Sequence, residues 1–81
     1  MKVTVRLWAH FRVATGLDSL HLDVPERATV DAVVHAVYST YPALRDWDKS
    51  LLLAVGDEFA RRDHVLVDGD EISIMPPVQG G

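Results

Sequence analysis

The sequence predicts an α+β fold in which a mixed β-sheet packs against one main helix. Apolar and polar residues alternate near both ends of the chain, at residues 2–8 and 71–75, as in half-buried strands. Between them, residues 30–38 carry valine and tyrosine at helical spacing. A helix against one face of a sheet buries both apolar stripes, so residues 1–75 are expected to form one domain.

The N-terminal half is expected to begin with two strands. Residues 2–8 form the first, and residues 10–15 form a short helical turn that Gly16 stops. Residues 19–24 alternate again as the second strand. Pro25 ends it, because proline has no N–H to donate to a neighbouring strand.

The main helix is expected to begin after Thr29, whose hydroxyl is a suitable N-cap. Asp31 favours the positive end of the helix dipole. Valine is a modest helix former, so the periodicity predicts this helix more than propensity does. It should end before Pro42, because the residue preceding a proline is pushed toward an extended conformation.

The C-terminal half is expected to complete the sheet. Residues 42–50 are interpreted as irregular with room for one helical turn, and residues 51–55 as a strand with apolar residues on both faces. Residues 59–62 and 64–67 are ambiguous. The Asp-Gly-Asp sequence at 68–70 predicts a turn before the last strand. The first and last strands share a period of two, and side by side in the centre of the sheet they give the β-grasp architecture.

Composition excludes several classes of function. The chain has 81 residues, no cysteine and a formal net charge of −4. Without cysteine there is no thiolate nucleophile, and the four histidines lack zinc-type spacing, so no metal site is expected. The acidic balance argues against nucleic acid as a partner. No stretch approaches the roughly 20 apolar residues of a membrane span, and the expected location is the cytoplasm.

The last six residues are interpreted as a functional tail that enters a pocket of another protein: Pro76, Pro77, Val78, Gln79, Gly80 and Gly81. Consecutive prolines favour an extended, stiff segment, and glycines without Cβ fit a narrow channel. The tail stops on an α-carboxylate, which is ionised and a poor electrophile at neutral pH. Because the chain has no phosphate-binding loop, a partner enzyme that uses ATP is expected to activate this carboxylate.

The sequence LVDGDEISIMPPVQGG at 66–81 resembles the C-terminus of the molybdopterin synthase small subunit, a family of ubiquitin-like sulfur carriers. Residues 5–12 (VRLWAHFR), followed by Gly16, and residues 51–55 (LLLAV) are similar to that family as well. The resemblance therefore covers essentially the whole chain. One departure is Gly56, where the family often has Asn.

The resemblance implies a chemistry for the tail. A ubiquitin-activating-like adenylyltransferase forms a glycyl-adenylate at Gly81, and a sulfur donor of the cysteine desulfurase or rhodanese type converts it to a thiocarboxylate (1-thioglycine). The carrier binds no cofactor and docks on the large subunit of molybdopterin synthase, which supplies the catalytic residues. Sulfur then passes to cyclic pyranopterin monophosphate. Gly81 is the acyl carrier in this scheme, and Gly80 is its slender neck.

Strand parity predicts the surface that binds a partner. Trp8 and Met75 have the opposite parity to the core-facing residues of their strands, so both are expected on the sheet face away from the helix, together with Leu52. Trp and Met are favoured at interfaces, and Phe59 is a further candidate. The alternative is that Trp8 and Met75 close the core at strand ends.

Other interpretations of the same features stay open. Sulfur carriers of the thiamine, cysteine and tungsten-cofactor pathways share this fold and tail. A ubiquitin-like protein modifier would use the same activated Gly81, attacked by an amine instead of by sulfide. A plain interaction domain with an incidental Gly-Gly end is the third possibility. The carboxylates of Asp68, Asp70 and Glu71 are interpreted as turn residues and solvated charge, in preference to an acid–base pair.

Overall fold

The computed structural model describes residues 1–77. Within that range the chain forms five strands, two α-helices and one 3₁₀ helix. In chain order these are β1 (Lys2–Leu7), α1 (His10–Thr15), β2 (Ser19–Asp23), α2 (Val30–Thr40), the 3₁₀ helix (Pro42–Ser50), β3 (Leu52–Val55), β4 (Glu58–Phe59) and β5 (Glu71–Met75).

The strands form one mixed sheet in the order β2-β1-β5-β3-β4. β1 and β5 lie side by side in its centre and run parallel, whereas the other neighbouring pairs are antiparallel. The predicted central pairing of the first and last strands is therefore confirmed, and with it the β-grasp architecture.

The main helix α2 begins and ends where the sequence predicts. Thr29 Oγ1 accepts a hydrogen bond from the N–H of Ala32 at 3.2 Å, which satisfies one of the free N–H groups of the first turn. The helix ends at Thr40, two residues before Pro42. Its buried face is the predicted valine and tyrosine stripe: Val30, Val33, Val34, Val37 and Tyr38.

The core lies between α2 and one face of the sheet, with contributions from the connecting segments. Burying these side chains is the main term that stabilises a domain of this size. The core residues are Val3, Val5, Leu7, Phe11, Val30, Val33, Val34, Val37, Tyr38, Leu44, Leu53, Leu66, Ile72 and Ile74.

The largest difference from the sequence prediction is at residues 42–50, which form a 3₁₀ helix throughout and not an irregular segment with one helical turn. Pro42 occupies its first turn, where a fixed φ and a missing N–H are tolerated. Leu44 is buried and anchors the helix on the core. The ambiguous stretch 59–67 contributes the end of the short strand β4 and a single bridge between Thr29 and Val65.

The remaining differences are small. The first strand ends at Leu7, one residue before Trp8, because the chain turns sharply into α1. Gly16 ends α1 as predicted, in the left-handed conformation at φ 75°. No helix within residues 1–77 has both the length and the apolar character that crossing a membrane requires.

Candidate functional site

An apolar patch lies on the face of the sheet away from α2. It consists of Trp8, Ala54, Phe59 and Met75, which line a shallow depression of about 230 Å³. The patch draws on the residue that follows β1, on both strands of the β3–β4 hairpin and on β5. The structure therefore brings together three of the residues predicted from strand parity and interface preference.

The sheet register explains why these side chains share a face. Leu52 of β3 lies directly opposite Met75 of β5, and Ala54 lies opposite both Ser73 and Phe59 on its two neighbouring strands. Side chains of directly paired residues project to the same face of a sheet. Leu52 is half-buried and extends the patch next to Met75, outside the depression itself.

Exposure decides between the two interpretations of Trp8. Its residue surface is 44% exposed and that of Phe59 is 78% exposed, and neither packs in the core. The alternative that Trp8 closes the core at a strand end is therefore wrong. Met75 is half-buried and also lies outside the core cluster. Exposed aromatic and methionine side chains grouped in this way are typical of interaction surfaces.

Charged side chains border the patch. The Arg6 guanidinium carbon lies 5.6 Å from the centroid of the Trp8 ring, and Arg6 Nη1 lies 3.9 Å from Glu71 Oε1. Asp57, in the turn between β3 and β4, lines the depression on the opposite side. Asp57 is not among the site residues predicted from the sequence. It could have been predicted from its position in the turn that follows Leu52 and Ala54, which alternate onto the patch face.

The tail begins at the apolar patch. β5 ends at Met75, and the half-buried Pro76 and Pro77 continue the chain without helix or strand structure. The Trp8 N–H donates to the carbonyl of Ile74 at 3.3 Å, so the end of β1 is tied to β5 just before the tail starts. Val78, Gln79, Gly80 and Gly81, which carry the predicted pocket contacts and the predicted acyl group, lie outside the described residues.

A polar network lies on the helix side of the sheet, away from the patch. The Tyr38 hydroxyl donates to Asp48 Oδ1 at 2.6 Å, and Arg62 donates to Asp31 Oδ1 at 2.7 Å and to Asp48 Oδ1 at 2.9 Å. Burial, together with this bond to Asp48, raises the pKa of Tyr38 to about 12. The same hydrogen bond lowers the pKa of Asp48, with help from Arg62. These groups are hydrogen-bonded to one another, so the network joins α2 to the 3₁₀ helix and to the segment after β4. It is therefore interpreted as structural and not as an acid–base site.

The remaining polar candidates have structural explanations. Asp68 Oδ1 accepts from the N–H of Lys2 at 2.7 Å, and Asp70 Oδ2 accepts from the N–H of Val67 at 2.9 Å. The prediction that they are turn residues is confirmed. All four histidines are exposed, and within the described chain no three His, Asp or Glu side chains are grouped to hold a metal ion.

The sequence profile of the ThiS family matches residues 5–81. The chain belongs to the ThiS family. The match includes the tail as well as the sheet.

Two curated proteins are similar to this ThiS-family chain over nearly its full length. The molybdopterin synthase sulfur carrier subunit of Escherichia coli (strain K12) is 37% identical over 83 residues, which cover 98% of this chain and 99% of that protein. Small archaeal modifier protein 3 of Haloferax volcanii is 32% identical over 92 residues, which cover all of both chains. These matches confirm the resemblance found in the sequence.

The fold is shared with solved structures as well. SAMP1 from Haloferax volcanii superposes with a TM-score of 0.87 at 27% identity, over the whole of both chains. The ubiquitin-like β-grasp fold of this ThiS-family chain is confirmed by that agreement together with the observed strand order.

Proposed function

We propose that this chain is the sulfur carrier subunit of a molybdopterin synthase and is not itself an enzyme. Membership of the ThiS family and the full-length similarity to the Escherichia coli carrier subunit support the proposal. The observation that carries it is the position of Met75, which is both a residue of the apolar patch and the last residue before the tail. The tail would therefore start next to the surface of any partner that binds the patch.

The proposed chemistry takes place at Gly81. A partner adenylyltransferase of the ubiquitin-activating type joins the carboxylate to the α-phosphate of ATP, and pyrophosphate leaves. The terminal sulfur of a persulfide on a cysteine desulfurase or rhodanese-type donor then attacks the acyl carbon and displaces AMP, which gives an acyl disulfide. A thiol supplies the two electrons that cleave the S–S bond, and this releases the thiocarboxylate. The chain needs no bound cofactor, because the sulfur is held covalently on the terminal carboxyl group of Gly81. Gly80, without a side chain, lets the loaded end group pass through a narrow channel.

The large subunit of the synthase is the proposed partner at the apolar patch. Burying Trp8, Phe59 and Met75 against an apolar surface supplies the attraction, and Leu52 extends the contact. Pro76 and Pro77, followed by Val78 and Gln79, then lead the tail into the active site of that subunit. The net charge of −4 favours a partner with a basic border. We place this exchange in the cytoplasm, where ATP is available for the adenylation.

The deciding experiment is loading of the tail in a purified system. The chain is incubated with an adenylyltransferase of this type, ATP and a sulfide source, and its intact mass is measured. Exchange of one oxygen for sulfur at Gly81 is the expected result, and addition of the large subunit with cyclic pyranopterin monophosphate should then yield molybdopterin. Absence of sulfur at the C-terminus under conditions that load the Escherichia coli relative would refute the proposal.

A variant extended by one alanine after Gly81 is the matched control. The added residue moves the carboxylate beyond the adenylation site but leaves the described body unchanged. We expect no sulfur loading and the same thermal unfolding curve as the parent chain. Equal loading of the extended variant would show that the position of the end group does not matter.

The similarity to a protein named as an archaeal modifier favours a second candidate function. A modifier would pass the activated Gly81 to lysine amines, forming an isopeptide bond. Gly-Gly remnants on lysines of other proteins after proteolysis would reveal it. Sulfur loading without such remnants separates the carrier from the modifier, and molybdopterin formation separates this pathway from the thiamine and cysteine pathways.

A further inference from the structure

Ala9 adopts a backbone conformation that residues with a side chain avoid. Its φ is 54° and its ψ is −131°, the values of the second residue of a type II′ turn. The Phe11 N–H donates to the carbonyl of Trp8 at 3.1 Å and closes that turn. Glycine is the usual residue at this position because it has no Cβ, so an alanine here is strained.

The surroundings of Ala9 hold the turn on both sides. Before it, the Trp8 N–H donates to the carbonyl of Ile74 at 3.3 Å on the neighbouring strand. After it, the Phe11 side chain is completely buried, and the carbonyl of Ala9 accepts from the N–H of Arg12 at 3.0 Å at the start of α1. The contacts on both sides therefore hold residue 9 at a positive φ. Whether that residue is alanine or glycine affects only how widely φ and ψ fluctuate around these values.

The residue that this turn directs is Trp8. Its side chain is on the apolar patch and is 44% exposed, so packing alone holds it weakly. At positive φ, a residue with a Cβ has a narrow range of allowed conformations, whereas glycine has a broad one. Alanine consequently gives a stiffer turn than glycine would, at a cost in stability.

We infer that Ala9 is a positioning residue that orients the Trp8 side chain within the apolar patch before a partner binds. The inference rests on the proposed function, in which Trp8 contacts the large subunit. A side chain that is already oriented loses less conformational freedom on binding, which strengthens the complex without adding any contact. Ala9 thus acts through Trp8 and touches neither the tail nor the reacting group.

The test compares Ala9→Gly with Ala14→Gly, which makes the same chemical change at an exposed, ordinary helical position of α1. Three measurements are made on each full-length variant: thermal unfolding, affinity for the large subunit by calorimetry, and the order of the Trp8 indole N–H by NMR relaxation. Ala14→Gly should unfold at a lower temperature, because glycine weakens a helix, and should bind like the parent chain.

For Ala9→Gly we expect stability and affinity to move in opposite directions. The variant should unfold at a higher temperature, because strain is relieved. It should bind the large subunit roughly two- to tenfold more weakly, the range for immobilising one side chain at an interface, and its Trp8 indole should be more mobile. Unchanged affinity with an unchanged indole would overturn the inference, as would a loss of stability like that of Ala14→Gly.

Trp8→Ala separates this inference from the proposed function. If Trp8→Ala binds the large subunit as the parent chain does, the docking surface itself is wrong and the inference falls with it. If Trp8→Ala loses binding while Ala9→Gly retains it, the docking surface stands and only the role of Ala9 is refuted.

Discussion

Arg62 Nη2 donates to Asp48 Oδ1 across 2.9 Å, and the same guanidinium donates from Nη1 to Asp31 Oδ1. One side chain thereby joins three parts of the chain: the segment after β4, the 3₁₀ helix and the first turn of α2. These contacts cover the helix side of the core, opposite the apolar patch, so the stability of the fold can be tested separately from the proposed docking surface.

Replacing Arg62 by alanine should destabilise the domain. It leaves Asp31 and Asp48 without their cation, and because the Arg62 side chain is only 32% exposed, we expect a loss of about 1–3 kcal/mol in the free energy of unfolding. Urea denaturation measures the loss. Arg61→Ala is the matched control, since that side chain is 88% exposed and its pair with Asp63 at 3.5 Å should contribute under about 0.5 kcal/mol. Equal losses in the two variants would contradict the role given to the network.

Tyr38 should make the stability of the domain sensitive to alkaline pH. Burial and the bond to Asp48 raise its folded-state pKa to about 12, above the ordinary value of about 10. The neutral phenol therefore stabilises the fold fully below about pH 10, and this contribution is lost as pH rises toward 12. Chemical denaturation at a series of pH values should show Tyr38→Phe less stable near neutrality, with the gap to the parent narrowing above about pH 10. If the difference in the free energy of unfolding between the parent and Tyr38→Phe stayed constant over that pH range, the role given to Tyr38 would be wrong.

Phe59→Ala should weaken docking without weakening the fold. The side chain is 78% exposed on the apolar patch, so its loss should change the free energy of unfolding by less than about 0.5 kcal/mol. At an interface, an aromatic anchor of this kind contributes about 2 kcal/mol or more, so affinity for the large subunit should fall roughly 30-fold. Val13→Ala removes an apolar side chain that is 81% exposed away from the patch, and it should bind normally. Similar losses for both variants would place the interface elsewhere.

Gly56 is the position at which the sequence resemblance to the small subunits leads one to expect Asn. Its φ is 60°, and a Cβ built there meets no atom within 4 Å, so the backbone conformation and not space limits what fits. Gly56→Asn should be nearly neutral, because Asn tolerates the left-handed region. Gly56→Val should cost about 1–2 kcal/mol. Thermal unfolding of the pair distinguishes them, and equal stability would show that the turn relaxes to a negative φ.

Local patterns in the sequence predicted the elements whose signals are contained within a few residues. The alternation of Val3, Val5 and Leu7 identified β1 and its buried face, and Thr29 marked the start of α2. The parity of Trp8 and Met75 placed both on the sheet face away from α2. Each of these depends on the period of a strand or on a hydrogen bond three residues away, so no tertiary information is needed.

The features that escaped prediction depend on contacts between distant segments. The 3₁₀ helix of residues 42–50 is stabilised by burial of Leu44 on a core that exists only after folding. Arg62 finds Asp31 and Asp48 across separations of 31 and 14 residues. The positive φ of Ala9 contradicts the preference of alanine and persists because its neighbours are bound to other elements. No window of sequence contains these partners together.

The parallel pairing of β1 with β5 has a consequence for biosynthesis. The ribosome makes residues 2–7 before residues 71–75, their neighbour in the middle of the sheet, and all of the intervening chain is made in between. Until residues 71–75 are made, the nascent chain has no complete sheet against which α2 can pack. Pairing of segments so far apart in sequence is also slow. A transcript truncated before codon 71 should therefore yield a product that never folds and is cleared by proteolysis.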